Sequence, residues 1–190
     1  MEQMSRSYEE TARKYKQGAN NFMYALCWVM LVISGFIAVI ALQSAINFAE
    51  GFNINNIISI VVVVVFGGTA FLLWRNKDNL RVEYDYTFTP IGGGKADLDV
   101  AKVLGNARRK LMTSLTLSTV ESAGNVNHPS FQRFLTMKDV KKHNWFVNRG
   151  AELYYFYFTK NNVKHVIVLE ISETMVERVK PGLGFGVWQK

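Results

Sequence analysis

Residues 22–42 read FMYALCWVMLVISGFIAVIAL, Phe22 to Leu42, with only Ser34 and Gly35 outside the apolar set. As a helix, a run of this length rises about 31 Å, the thickness of a bilayer's hydrocarbon core. It predicts a first transmembrane helix. A second run, Ile57 to Trp74 (IISIVVVVVFGGTAFLLW), is slightly shorter and ends on an interfacial tryptophan. Its Val61–Val65 stretch would suit a buried strand in water. In lipid a lone strand leaves its backbone groups unpaired, whereas a helix satisfies them internally, so a second transmembrane helix is predicted over 57–74. Residues 43–56 would then form a short external loop. Between Lys16 and Arg75, Glu50 is the lone Asp, Glu, Lys or Arg in 58 positions, a pattern that excludes an ordinary soluble domain there.

The flanks set the orientation. Ala38, Ala41 and Ala45 offer small residues for signal cleavage, but a 21-residue apolar run preceded by 21 largely polar residues fits an uncleaved anchor better. Arg6, Arg13, Lys14 and Lys16 precede the first run, Arg75, Lys77 and Arg81 follow the second, and the loop between carries no Lys or Arg. By the positive-inside bias both termini are expected in the cytoplasm of a multi-pass cell (inner) membrane protein. The single Cys27 fits a reducing compartment and excludes an intramolecular disulfide framework.

Ser34, Ala38, Ala41 and Ala45 recur at helical spacing on the first run, and Gly67, Gly68 and Ala70 cluster on the second. Small residues let helix backbones approach closely where apolar burial gives no net drive. They predict packing of the two helices on each other, with homo-oligomerisation or docking on another membrane protein as the sharper alternative. No acid, base or histidine lies inside either run, which leaves a proton relay or ion-coupled transporter without residues to use. Ahead of the spans, Tyr8, Ala12, Tyr15, Ala19 and Phe22 share one helical stripe, so residues 1–21 are read as an amphipathic helical arm at the membrane interface.

From Val82 the period changes to two. Val82, Tyr84, Tyr86 and Phe88 alternate with polar residues, the Pro90–Gly94 stretch breaks the pattern, and Ala96, Leu98 and Val100 alternate with Asp97 and Asp99, giving a predicted hairpin. Leu111 to Val120 reads as a third strand. Residues 123–144 read as polar and irregular, with a short helical turn near Phe131–Leu135, and 145–148 as a short strand. Leu153–Thr159 and His165–Ile171 form the strongest pair, joined through Asn161 and Asn162, which accept positive φ. Ser172 or Thr174 then caps a short helix over Met175, Val176 and Val179, which Pro181 ends. Residues 82–181 are therefore expected to make one cytoplasmic β domain, a curved sheet or partly open barrel closed by that helix, and 182–190 a Gly-rich tail that dips into the membrane interface or covers an edge strand. The fold class is a membrane protein of α+β type, an amino-terminal helical hairpin followed by a mainly antiparallel domain with a short carboxyl-terminal helix.

The segments VEYDYTF (82–88), ADLDVAKV (96–103), ARRKL (107–111) and EISETMVERV (170–179), placed after two spans, resemble an uncharacterised family of two-span bacterial membrane proteins of the clostridial type. The soluble part is similar to the pleckstrin-homology-like (PH-like) domains attached to bacterial membrane helices. The resemblance implies that fold and carries no site residues with it.

Two basic groups remain as candidates for contact with anionic phospholipid headgroups or a protein partner: Lys102, Arg108, Arg109 and Lys110, and then Lys138, Lys141 and Lys142. Near an anionic leaflet each contributes about 1 kcal/mol within a Debye length of the surface. Nucleic acid is not expected, because alternating aromatics such as Tyr154–Phe158 normally face a core and the positive-inside bias accounts for much of the basic surplus. His128, His143 and His165 lack metal-ligand spacing, and Gly92–Gly94 and Gly182–Gly186 lack the lysine and following helix of a phosphate loop. No cofactor, metal or catalytic residue is expected, and the reading is non-enzymatic.

Overall fold

The computed structural model describes residues 6–15, 17–46, 53–105 and 108–189. Residues 1–5 of the expected arm, Lys16, the middle of the expected loop (47–52), Asn106, Ala107 and Lys190 lie outside them. The chain divides into two compact units, one of residues 16–81 and one of residues 1–15 together with 82–190.

The first unit is a helical hairpin of α1 (Gln17–Ala45) and α2 (Ile54–Asn76), both long and apolar enough to cross a membrane. On α1, Asn20, Tyr24, Cys27, Leu31, Ser34, Ala38, Ala41 and Ala45 are buried or half-buried at a four-three spacing, with Gly35 and Ile37 half-buried beside them; Asn56, Ser59, Val63, Phe66, Ala70 and Leu73 repeat it on α2, flanked by half-buried Val62 and Gly67. That repeat is the seam of two helices packed side by side. Outward-facing Phe22, Val32, Phe36, Val64, Phe71 and Leu72 are more than half exposed, a surface suited to lipid and untenable in water. The loop end is closed by Asn56, 3% exposed, whose amide donates to the carbonyls of Ser44 (3.4 Å) and Ala45 (3.3 Å) while it forms a capping box with Asn53. At the opposite end the Arg81 guanidinium lies 3.9 Å from the Tyr24 ring centroid and the Lys77 amine 5.3 Å from that of Trp28, an aromatic and basic belt typical of a membrane interface.

The second unit holds two sheets. The first has the order β1-β2-β3-β4, from Tyr8–Ala12, Val82–Gly92, Lys95–Leu104 and Arg108–Thr116, all antiparallel. The second has the order β6-β8-β7-β5-β9, from Val140–Trp145, Val163–Leu169, Tyr154–Lys160, Val120–Asn125 and Trp188–Gln189, with β6–β8 and β5–β9 parallel. Tyr86, Phe88, Leu98 and Val100 of the first sheet meet Phe156, Ile167 and Leu169 of the second in one core. Helix α4 (Glu173–Val179), capped by the Ser172 hydroxyl, closes it with Met175, Val176 and Val179. On the other face of the second sheet, helix α3 (Pro129–Thr136) stacks Phe131 on Tyr155 and Phe134 on Tyr157, with ring centroids 5.3 and 4.3 Å apart. The β7–β8 turn holds Asn161 and Asn162 at φ 52° and 60°, the left-handed values that asparagine tolerates.

Several expectations are corrected. The amino-terminal arm is not a helix where it is described: Tyr8–Ala12 is a strand paired with β2, with Ala12 opposite Tyr84. A short isolated helix is marginal in water, whereas the edge of β2 offers a full ladder. The domain therefore begins before the hairpin, which interrupts the sequence between two neighbouring strands. The strand expected over 111–120 is two strands, broken by a 3-10 turn at Leu117–Thr119 that carries the chain from one sheet to the other. The helical turn expected near Phe131–Leu135 is α3, but the rest of 123–144 is not all irregular, since it holds the end of β5 and most of β6, and 145–148 is the end of β6 and a loop. The tail covers an edge: Trp188 and Gln189 pair with Ala123 and Gly124, and a Cβ on Gly124 would sit 3.0 Å from the Gln189 carbonyl oxygen.

Ala12 is part of the main core. Ala12→Asp buries a carboxylate there and is expected to destabilise the domain by about 2–4 kcal/mol. Thermal unfolding of the full chain in detergent checks this; an unchanged midpoint would mean that the arm does not belong to the sheet.

Candidate lipid-facing site

Strand register decides which basic residues gather. Val82, where the chain returns from α2, lies opposite Leu104, and Leu104 lies opposite Arg108. One step in, Tyr84, Lys102 and Lys110 stand side by side on β2, β3 and β4. A bulge between Val100 and Ala101 shifts the β3–β4 pairing by one residue and so keeps Lys110 on the face of Lys102. Burial pushes the Tyr84 hydroxyl's titration up. Lys102, Arg108 and Lys110 thus share the sheet end at which β1 finishes and β2 starts.

Arg109 is turned away from them. It donates to Glu9 (2.7 Å) and Thr87 (3.4 Å) and lies 3.5 Å from an Asp85 carboxylate oxygen, so it ties β4 across β3 to β2 and β1. The second basic group is split by the alternation of β6. Lys142 donates to the Leu135 carbonyl of α3, Lys138 sits in the turn before the strand, and Lys141 projects from the opposite face with His143 and Trp145. Among the residues expected to pack helices, Ser34, Ala41 and Ala45 are buried and Ala38 half-buried, whereas a Cβ on Gly67 or Gly68 would meet nothing within 4 Å.

Three features escaped sequence reasoning. Asn148, 8% exposed, accepts from the Tyr15 amide (3.0 Å) and donates to the Arg13 carbonyl (2.7 Å) and to Glu170 (2.6 Å), while Glu170 also accepts from the amides of Val147 and Asn148. This latch fixes the backbone that leaves β1 for α1, and it borders a groove of about 530 Å³ between residues 10–15 and 170–173. Nothing local marks Asn148, which lies 133 positions from Tyr15. Second, Tyr86 donates to the Trp145 carbonyl (2.6 Å) and receives the Glu170 amide (3.3 Å), and its burial pushes its titration far up. Third, the imidazoles of His143 and His165 share a hydrogen bond between Nε2 and Nδ1 of 3.2 Å. Among the described residues no group of three or more His, Cys, Asp or Glu is placed to hold a metal ion.

The family described as Bacterial PH-like domain (DUF6106) matches residues 6–184. The chain belongs to this family. The match opens just before β1 and runs through both apolar helices, strands β2 to β8 and α4, ending before β9, so the PH-like domain as the family defines it includes the helical hairpin between its first two strands. No curated protein and no solved structure matches the chain.

Two outcomes follow for this PH-like domain. Asn148→Leu leaves the Tyr15 amide, the Arg13 carbonyl and part of Glu170 without partners, and a loss of about 2–4 kcal/mol in chemical unfolding is expected. Acid weakens the fold through the histidines. Burial first, and Lys141 second, hold His143 below its ordinary value; burial, His143 and nearby lysines do so for His165. The unfolded chain binds more protons below its histidine value near 6.5, so stability falls as pH drops through that value toward the lower folded values. Thermal midpoints between pH 7.5 and 5 should fall less in His165→Gln than in the parent chain.

Proposed function

We propose that this protein is a non-enzymatic, two-span anchor that holds its PH-like domain at a membrane face and reads anionic phospholipid headgroups there through Lys102, Arg108 and Lys110. One observation carries the reading: the chain leaves the domain at the end of β1 and returns at the start of β2, and the β3–β4 turn with its basic residues occupies that same sheet end in register. A helix pair that crosses twice returns the chain to the side it left, which the β1–β2 ladder also demands. The Lys and Arg bias around the spans favours the cytoplasmic side of the cell membrane for both termini. Three basic groups at an anionic surface contribute about 3 kcal/mol together, roughly a hundredfold in occupancy.

A docking role in a larger membrane complex, or between copies of this chain, is the alternative. It is favoured by one observation, the open space around Gly67 and Gly68, since Ser34, Ala41 and Ala45 are already buried within the hairpin.

Hydrogen exchange of the full chain in nanodiscs tests the lipid reading. Amides of 100–112 should exchange more slowly with phosphatidylglycerol than with phosphatidylcholine alone, and Lys102→Gln/Arg108→Gln/Lys110→Gln should abolish the difference. Equal exchange in both lipids would sink this reading, and co-purification of a partner that is lost in Gly68→Leu would favour the alternative.

A further inference from the structure

A second basic constellation lies away from the β3–β4 end. On β6, β8 and β7, Lys141 is the register partner of His165, and His165 is the partner of Phe158. On the same face, His143, opposite Ile167, and Lys160, opposite Val163, lie one pleat to either side of that row. The Phe158 ring lies against His165 at 5.4 Å and the Trp145 ring against His143 at 5.0 Å, giving the group an aromatic floor. Lys141 and Lys160 are exposed, and among the described residues neither has a carboxylate partner. Lys160 donates to the Ser114 carbonyl of β4 at 3.5 Å, whereas Lys164, on the other face, is taken by Asp139 at 2.6 Å.

We propose that Lys141, His143, Lys160 and His165 form a binding site for a phosphate monoester. The imidazole pair is built for it. With one ring donating to the other across 3.2 Å, no described group engages His143 Nδ1 or His165 Nε2. When the pair takes up one proton, the bridging N–H is kept and both outer nitrogens become donors. The outer nitrogens lie at opposite ends of the bridged pair and point apart, so one dianion is met by His165 Nε2–H with the Lys141 and Lys160 ammonium groups beside it, as charge-assisted recognition of phosphate requires, while His143 is bridged to the donating ring. The charged groups facing the pair are Lys141 on β6 and Lys160 on β7. They oppose its protonation in the free protein, as does burial. A bound phosphate reverses the sign of that local field, so binding is accompanied by proton uptake and strengthens from pH 7.5 toward 6. Neither basic run in the sequence displays this group, because its members come from strands brought together by the parallel β6–β8 pairing.

The phosphate could be free in solution or be the headgroup of phosphatidic acid, and the experiment separates these sources. Ring resonances of His128, His143 and His165 are followed against pH in the full chain, with inorganic phosphate in detergent and separately in nanodiscs with or without phosphatidic acid. Phosphate or phosphatidic acid should raise the titration midpoints of His143 and His165 and leave His128 unmoved. Lys141→Gln/Lys160→Gln should weaken the effect at least about tenfold, and Lys102→Gln/Arg108→Gln/Lys110→Gln should leave it intact, which keeps this site separate from the headgroup reading above. A response to both probes supports the phosphate group itself as the ligand, and a response to phosphatidic acid alone supports the lipid. No shift with either probe, or an equal shift in Lys141→Gln/Lys160→Gln, overturns the proposal.

Discussion

The ladder between β1 and β2 is the constraint on which the rest depends. Five residues before the helical hairpin pair with residues just after it, from Tyr8 with Phe88 to Ala12 with Tyr84. An interruption of 69 residues therefore closes onto a single pair of adjacent strands, and whatever the hairpin does must begin and end at one sheet end. Glu9, Thr11 and Glu10 reinforce the ladder through Arg109, Asp85 and Ser172, and Asn148 with Glu170 holds the outgoing chain at Arg13 and Tyr15. These polar contacts cluster where the strand would otherwise fray, since β1 is an edge strand with a partner on one side alone.

Much of this was legible from residue pattern. The two apolar runs needed only length and the absence of charge, and the Tyr84–Tyr86–Phe88 and Leu98–Val100 alternations named the inner face of the first sheet. Ser172 and the Met175, Val176 and Val179 triplet announced the closing helix. What stayed hidden was non-local. Tyr8 and Ala12 satisfy a helical stripe as well as the alternation of a strand, and the partners that decide between them, Phe88 and Tyr84, lie more than seventy residues away. The break at Leu117–Thr119 is invisible in a run without Gly or Pro, because it is set by the need to pass from one sheet to the other.

The candidate sites show the same division more sharply. Lys110 and Arg109 are adjacent in sequence, yet the pleat sends one toward Lys102 and the other into a carboxylate cluster. Lys141 and Lys142 part in the same way, one toward the histidines and one toward α3. Basic residues counted along the chain thus overstate the first group by one member. They conceal the second altogether, since His143 and His165 meet only through a parallel pairing between strands separated by β7 in sequence.

The most direct measurement is a proximity test across the hairpin in intact membranes. With Cys27 replaced by serine, Glu9→Cys and Thr87→Cys are register neighbours and should form a disulfide rapidly under mild oxidation, while Glu9→Cys with Lys95→Cys should not. Labelling of the two thiols by a membrane-impermeant reagent should occur from the same side. Failure to cross-link, or labelling from opposite sides, would contradict a PH-like sheet whose first two strands pair across the intervening helical hairpin.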